Sequence, residues 1–345
     1  MIFEFEISDF GIREFGFFGI LRIKKHRTNM MAHIKKKYLI GIDIGGTKTS
    51  VTLGTTKGKI LDHNRFSSRS GQKPVQSISE ICDAIHSLVS KYHLSKNKIL
   101  GVGVAVPGHI DVQNGIVLKS PNLPGWRGLA LKSILRKKLK LPVFVDNDAN
   151  VTALGESYFG EGRKFSDFLY VTVSTGIGSG IFANGRLVRG TSGVAGELGH
   201  MTVVPNGIKC NCGKRGCLEA YASGTAIENY VKKNLNHKTS VNGSAIAQAA
   251  KKGDRLSIRA RLIAADYLGI GLANVINLLN PEAIILGGGV MSEVHYFWDP
   301  MIAAIKRETW PAVYKTCKII RSKLKDKVAD FGVLALVLES RKIAP

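Results

Sequence analysis

The sequence predicts an α/β protein built as two lobes of related design. Three observations carry that expectation. A strand, a glycine turn and a second strand occur in KYLIGIDIGGTKTSVTLG from Lys37. The same arrangement returns in FLYVTVSTGIGSGIFANGRLV from Phe168. Both arms of each unit are rich in β-branched residues, and helical spacing of apolar residues appears between them. Two such units, each followed by helices, suggest lobes that face one another.

The elements follow in order from Lys37. KGKILDHNRF reads as a third strand, and Ile78, Ile81, Ile85, Leu88 and Val89 space a helix over 78–92. ILGVGVAVPG is a buried strand ending at a Pro-Gly turn. A helix near 128–139 leads into the short strand of LPVFVDNDAN, whose polar end a turn would expose at a cleft. After the second glycine unit, PEAIILGGGV is a strand running into Gly287, Gly288 and Gly289.

Residues 1–36 stand apart. They hold Phe3, Phe5, Phe10, Phe15, Phe17 and Phe18, out of 14 phenylalanines in the chain. Glu4, Glu6, Asp9 and Glu14 speak against a signal or transit peptide, whose leading segment is basic. The expectation is an extension outside the fold, with the true start at Met30 or Met31; an interfacial membrane anchor is the alternative.

Composition narrows the class. The 345 residues are 44% apolar and 22% charged, ordinary for a globular protein with room for two cores. Lys and Arg total 49 against 26 Asp and Glu, a net +23 that attracts anions of many kinds. The basic residues are spread along the chain, and the densest run, RKKLK at 136–140, continues the apolar spacing of Leu131, Ile134, Leu135 and Leu139. A solvated helix face is therefore expected there, and no specific nucleic-acid partner. No apolar run approaches the roughly 18 residues of a membrane span. Five cysteines in so long a chain suit a reduced, cytoplasmic setting better than a disulfide framework.

The glycine turns carry the chemistry. DIGGTK presents backbone N–H groups at Gly45 and Gly46, with Lys48 to balance anionic charge, which suits phosphate oxygens. Thr47 separates Gly46 from Lys48, so this is no P-loop. The closest approaches to a dinucleotide fingerprint start at Gly101 and Gly176 and fail at Val106 and Ile181. Two such turns and a third glycine-ended strand favour a bound phosphate or nucleotide. In DNDAN at 146–150, an aspartate has the chemistry to take a proton from a substrate hydroxyl, with a neighbouring asparagine to orient it.

Cys210, Cys212 and Cys217, with His200 upstream, make a tetrahedral structural zinc set, and Gly213 and Gly216 permit its tight turns. Four protein ligands leave no open position for catalysis. Holding them also fixes Glu197 and Glu219, acceptors for a polyhydroxylated ligand. One His200 nitrogen is then free to meet that ligand while the other binds the metal.

DIGGTKT, STGIGSGI, GELGH and CNCGKRGCLEAYASG occur in that order, and together they resemble the ROK family of sugar kinases and sugar-sensing repressors from about residue 37 onward. The resemblance implies an actin/hexokinase-like (ribonuclease H-like) ATPase fold with a structural zinc site. The smaller lobe would span 37–150 and the larger 151–345. It also implies Mg²⁺-dependent transfer of phosphate from ATP to a hexose. VPGHIDVQNGIVLKSPNLPGWRG is most similar to the bacterial glucokinase branch, which points to the 6-hydroxyl of glucose. The resemblance makes Asp148 the base, beside Asn147, and gives sugar contacts at Gly108, Asn122, Glu197, His200 and Glu219. Asp43 would hold magnesium-bound water. Gly45, Gly46, Thr47, Lys48, Thr175, Gly176 and Gly178 would meet phosphates, and Gly287 and Gly288 would border adenosine. A homodimer is implied as well.

Ser174 and Ser179 stand where the family's second phosphate turn has glycines, and would weaken ATP binding if either position needed positive φ. Within the family, an N-acetylhexosamine kinase, a fructokinase or a catalytically silent sugar sensor shares the same motifs. A helix-turn-helix pattern is not apparent before the first turn.

Overall fold

The computed structural model describes residues 38–68, 73–120, 122–235 and 242–343. The expected N-terminal extension, with Met30 and Met31, lies outside them. The first glycine unit forms β1 (Tyr38–Ile44) and β2 (Lys48–Thr55), and β3 (Ile60–Ser67) continues the meander. Helix α1 (Pro74–Lys91) starts at its proline and buries Ile78, Ile81, Ile85 and Leu88. The buried strand β4 (Ile99–Val106) leads into a small hairpin, β5 (His109–Asp111) and β6 (Ile116–Lys119). In α2 (Leu131–Leu139) the leucines at 131, 135 and 139 are buried while Arg136, Lys137 and Lys138 face solvent. The basic run is thus the outer face of an amphipathic helix.

Strand β7 (Val143–Asn147) runs directly into α3 (Asp148–Phe159), without the expected turn, because Asn147 caps the helix. The second glycine unit forms β8 (Phe168–Val173) and β9 (Ile177–Ala183), followed by β10 (Arg186–Val188). Then come α4 (Glu219–Ala222), α5 (Gly224–Asn234), α6 (Gly243–Lys251) and α7 (Arg255–Leu279). The chain ends through β11 (Ala283–Gly287), α8 (Gly289–Ser292), α9 (Trp298–Glu308), α10 (Pro311–Tyr314), β12 (Lys318–Arg321) and α11 (Val328–Ile343).

The two sheets have the same plan. The first runs β3-β2-β1-β4-β7 and the second β10-β9-β8-β11-β12. In each, three antiparallel strands are followed by two parallel ones. The helix after each sheet's last strand packs on the other sheet: α3 lies against β8 and β9, and α11 against β1 and β4. Glycines make room for this exchange. A Cβ at Gly103 of β4 would stand 2.0 Å from the Val333 carbonyl, and one at Gly180 of β9 would stand 2.5 Å from the Ala153 Cβ. The two helices cross at Gly155 and Gly332, where a Cβ on Gly155 would lie 2.9 Å from the Gly332 nitrogen. One buried cluster accordingly joins both lobes, holding Ala105, Val151 and Leu154 together with Phe168, Tyr170, Ile285 and Val333. The chain thus passes to the second sheet with α3 and returns to the first with α11.

At 25 residues, α7 is long and apolar enough to cross a membrane, a length that the broken apolar runs of the sequence did not suggest. Half of that apolar window is buried in the protein. Ala264, Leu268, Leu272 and Ile276 pack there into the second lobe's core.

Candidate active site

β1, β4 and β7 run parallel, so their C-terminal ends share one edge of the first sheet, as those of β8 and β11 do in the second. At the end of β7, Asn147 caps α3, its side-chain oxygen accepting from the N–H groups of Ala149 at 2.9 Å and Asn150 at 3.4 Å. Its amide donates to the Gly108 carbonyl at 2.9 Å. Gly108 turns with φ of +105°, and a side chain there would strike the Lys119 carbonyl. Asp148 is the first residue of α3. Burial raises its pKa above the usual carboxylate range; N–H groups of Ala149 and of its own backbone act in the opposite direction, and nearby Glu197 adds to the rise.

Asp43 is the second-last residue of β1 and lies near enough to Asp148 to feel its charge. Burial, then the carboxylates of Asp148 and Asp330, push it up to about 7, with Arg65 opposing. Asp330, near the start of α11, accepts from Thr52 at 2.6 Å and from Ser50 at 3.4 Å. Beyond Asp43 the first glycine turn closes with the Gly45 N–H donating to the Lys48 carbonyl at 2.9 Å. Thr47 and Lys48 are exposed at its tip. A Cβ on Gly46 would come within 3.1 Å of Asn122, so the structure brings Asn122 beside this turn.

The second turn holds Thr175 and Gly176, with Gly178 just beyond. The Ser174 carbonyl accepts from Gly224 at 2.7 Å and the Thr175 carbonyl from Thr225 at 3.3 Å, which docks the N-terminus of α5 on the turn. Gly288, at φ of +92°, lies against Val173, and Gly289 against Ser174, so the glycines after β11 reach the same place. Neither Ser174 nor Ser179 is among the described residues with positive φ. The hydroxyl of Ser179, in β9 just past the turn, instead donates to the Gly196 carbonyl at 2.6 Å, tying that strand to the segment that carries Glu197. A cavity of about 470 Å³ opens beside Thr175 and Glu219, lined by Tyr221, Tyr230, Ile227, Asn211 and Asn229.

His200, Cys210, Cys212 and Cys217 converge, with their ligand atoms all within 4.8 Å of one another. The Cys212–Cys217 sulfur separation is 3.7 Å, and Cys210 Sγ lies 3.8 Å from His200 Nδ1. A zinc tetrahedron with bonds of about 2.3 Å to sulfur has edges of about 3.8 Å, so the donor set fits that ion. Burial pushes the Cys210 thiol up to about 12, and a cation is what would hold it as thiolate at neutral pH. Gly213 and Gly216 both take positive φ in the loop. With Nδ1 toward the sulfurs, His200 Nε2 faces Glu197 at 3.8 Å. Glu219 accepts from the Ile177 N–H at 2.9 Å, which links the metal loop to the second turn.

Sequence reasoning missed three groups here. Asp330 carries no motif, and Ser179 counted only as a lost glycine. The ion pair of Asp146 with Arg189, at 2.8 Å, joins residues from different lobes that no spacing connects.

The chain matches the family described as ROK family over residues 39–340. It is 36% identical over 311 residues to a xylose repressor of Caldicellulosiruptor bescii, covering 87% of this chain and 78% of that protein. It is 38% identical to a glucokinase of Halalkalibacterium halodurans, covering 74% and 81% of the two chains. With a glucokinase of Thermotoga maritima the identity is 34%, covering 88% and 98%. Among solved structures, the ROK hexokinase of Thermus thermophilus superposes with a TM-score of 0.78 at 30% identity, covering 89% and 100%. A ROK family glucokinase of Streptomyces griseus, solved in complex with glucose and AMPPNP, gives 0.76 at 32% identity, covering 88% and 99%.

Proposed function

The chain belongs to the ROK family, and from that premise and the geometry of the cleft we propose that it is an ATP-dependent hexose kinase acting on the 6-hydroxyl of glucose. The observation that carries this reading is the position of Asp148. It begins the helix after β7, with the charges of Asp43 and Glu197 near it, and burial makes it a stronger base than a free aspartate. Glu197, His200 and Glu219 would accept and donate to the sugar hydroxyls, with Asn147 holding the loop at Gly108. Asp43 would hold magnesium through water, and that ion would supply positive charge against the phosphates. The N–H groups of the turns at Gly45–Lys48 and Thr175–Gly178 would orient the phosphates. Asp148 takes the proton of the sugar oxygen as that oxygen bonds to the γ-phosphorus, and ADP leaves. The Tyr221 and Tyr230 cavity, with its asparagine amides, has a lining suited to a heteroaromatic base.

Zinc at His200, Cys210, Cys212 and Cys217 is assigned a structural role, holding Glu219 and the His200 ring in place. The similarity to xylose repressors supports a second reading, a sugar-responsive regulator that binds without turning over. A coupled phosphorylation assay with Mg²⁺-ATP and glucose, mannose, fructose, N-acetylglucosamine and N-acetylmannosamine separates the two. Glucose turnover well above the rest is expected. Sugar binding without turnover of any of the five, in a zinc-replete sample, would replace the kinase with the regulator.

A further inference from the structure

The end of β7 that carries Asp148 is held from the other lobe. Asp146 is fully buried, and its Oδ2 accepts from Nε of Arg189 at 2.8 Å. Its Oδ1 accepts from the Asn147 N–H at 2.8 Å and from the Asn150 amide at 3.1 Å. Arg189 follows β10 and begins the segment 189–200, which carries Glu197 and His200. That segment touches the first lobe again at Ser192, whose carbonyl lies 2.9 Å from His109 Nε2. His109 adjoins Gly108, whose carbonyl accepts from Asn147. The contacts close a ring between the two lobes: Arg189 to Asp146, Asp146 to Asn147, Asn147 to Gly108, and His109 back to Ser192.

We propose that Arg189 is a positioning residue, which couples the sugar-facing segment 189–200 to the base by holding Asp146 and, through it, the strand end that aims Asp148. The inference rests on the reading of Asp148 as the base. A buried carboxylate stripped of its cation is strongly disfavoured and must rotate, take up water or take up a proton. Rotation releases the Asn147 N–H or the Asn150 amide from Oδ1, and water in place of the guanidinium removes the direct link to segment 189–200. Chemistry at the end of that strand is sensitive to such a shift, since a misplacement of about 1 Å can cost about 100-fold in rate. No bond of Arg189 or Asp146 in this ring runs to either glycine turn; segment 189–200 meets the strand after the second turn separately, through the Ser179 hydroxyl on the Gly196 carbonyl. A positioning role therefore differs from general loosening in what it leaves unchanged.

The test compares Arg189→Met and Arg189→Lys with the wild-type full chain, each with zinc content measured. In the Met variant, hydrogen exchange of residues 145–150 and 190–200 is expected to rise together. Its kcat should fall about tenfold or more and its KM for glucose should rise, while KM for ATP stays within about twofold. Arg189→Lys restores part of kcat, because a cation returns without the guanidinium geometry. Should the Met variant lose its zinc or its cooperative melt, the Lys variant carries the same comparison at smaller amplitude. Faster exchange over 190–200 with 145–150 still protected would overturn the coupling, as would an unchanged kcat. If the wild type turns over no sugar, the base reading falls and the exchange pattern alone decides the coupling. If the wild type is active and Arg189→Met loses nothing, the coupling falls and the base reading stands.

Discussion

Asp148 and Asp43 lie near enough for their charges to interact, and the different roles proposed for them make different demands on pH and mutation. Asp148→Asn keeps the size of the side chain and its contact with the Ala149 N–H, and removes only the base. Turnover is expected to fall about 100- to 10,000-fold while glucose affinity by calorimetry changes little. More than about a tenth of the activity remaining would take Asp148 out of that role. Asp43 has a folded pKa near 7, above the value of 3.8 it would have in an unfolded chain. A carboxyl whose folded pKa is raised binds more protons when folded, so its contribution is fully present below about 4 and is lost as pH rises toward 7. The ligand-free protein should thus lose thermal stability across that window, and Asp43→Asn should flatten the curve. An unaltered pH profile in the variant would show that Asp43 is not the group responsible. Both carboxylates could be singled out in the sequence because each lies at the end of a strand and adjoins a motif. Asp330 was not: its importance lies in facing Thr52 and Ser50 across some 280 residues of chain, a contact only the fold creates.

The strands and the metal loop show the same divide between local signal and tertiary cause. The glycine units were readable as strand–turn–strand because turn chemistry is local. Gly103, in the middle of β4, has a different reason, since the backbone of α11 lies directly against it. Gly103→Ala forces a methyl into the Val333 carbonyl and should destabilise by about 1–3 kcal/mol or more, read as a lower denaturant midpoint at constant slope. A midpoint equal to wild type would mean that α11 can move away at no cost. In the metal loop, four donors at short spacing were sufficient to identify the set, because few other structures need three thiols and an imidazole together. Cys212→Ser should lose the zinc and raise KM for glucose, since Glu219 and the His200 ring depend on that loop. Metal analysis and kinetics check both; full zinc occupancy in the variant would remove Cys212 from the ligands.

At the scale of the whole molecule, the exchanged helices make two lobes into one folding unit. Leu39 and Leu100 of the first sheet are covered by Leu334, Val337 and Leu338 of α11, the last helix of the chain. The duplicated design was visible in the sequence, because each half repeats a strand, a glycine turn and a strand. The exchange was not, because an apolar helix records that it must be buried and not which sheet will cover it. A chain ending at Lys327 keeps every strand of both sheets and every proposed catalytic residue, yet leaves the face of β1 and β4 open to water. The buried apolar side chains of that face are worth about 1.5–3 kcal/mol each, which is large against a total stability of about 5–15 kcal/mol. The truncated chain should therefore lose its cooperative melt, bind a hydrophobic dye and fail to bind glucose, although no sugar contact has been removed. A native-like near-ultraviolet dichroism spectrum with a single sharp transition would show that the first lobe stands without α11. The lobes would then be joined only by the cleft residues and not by a common core.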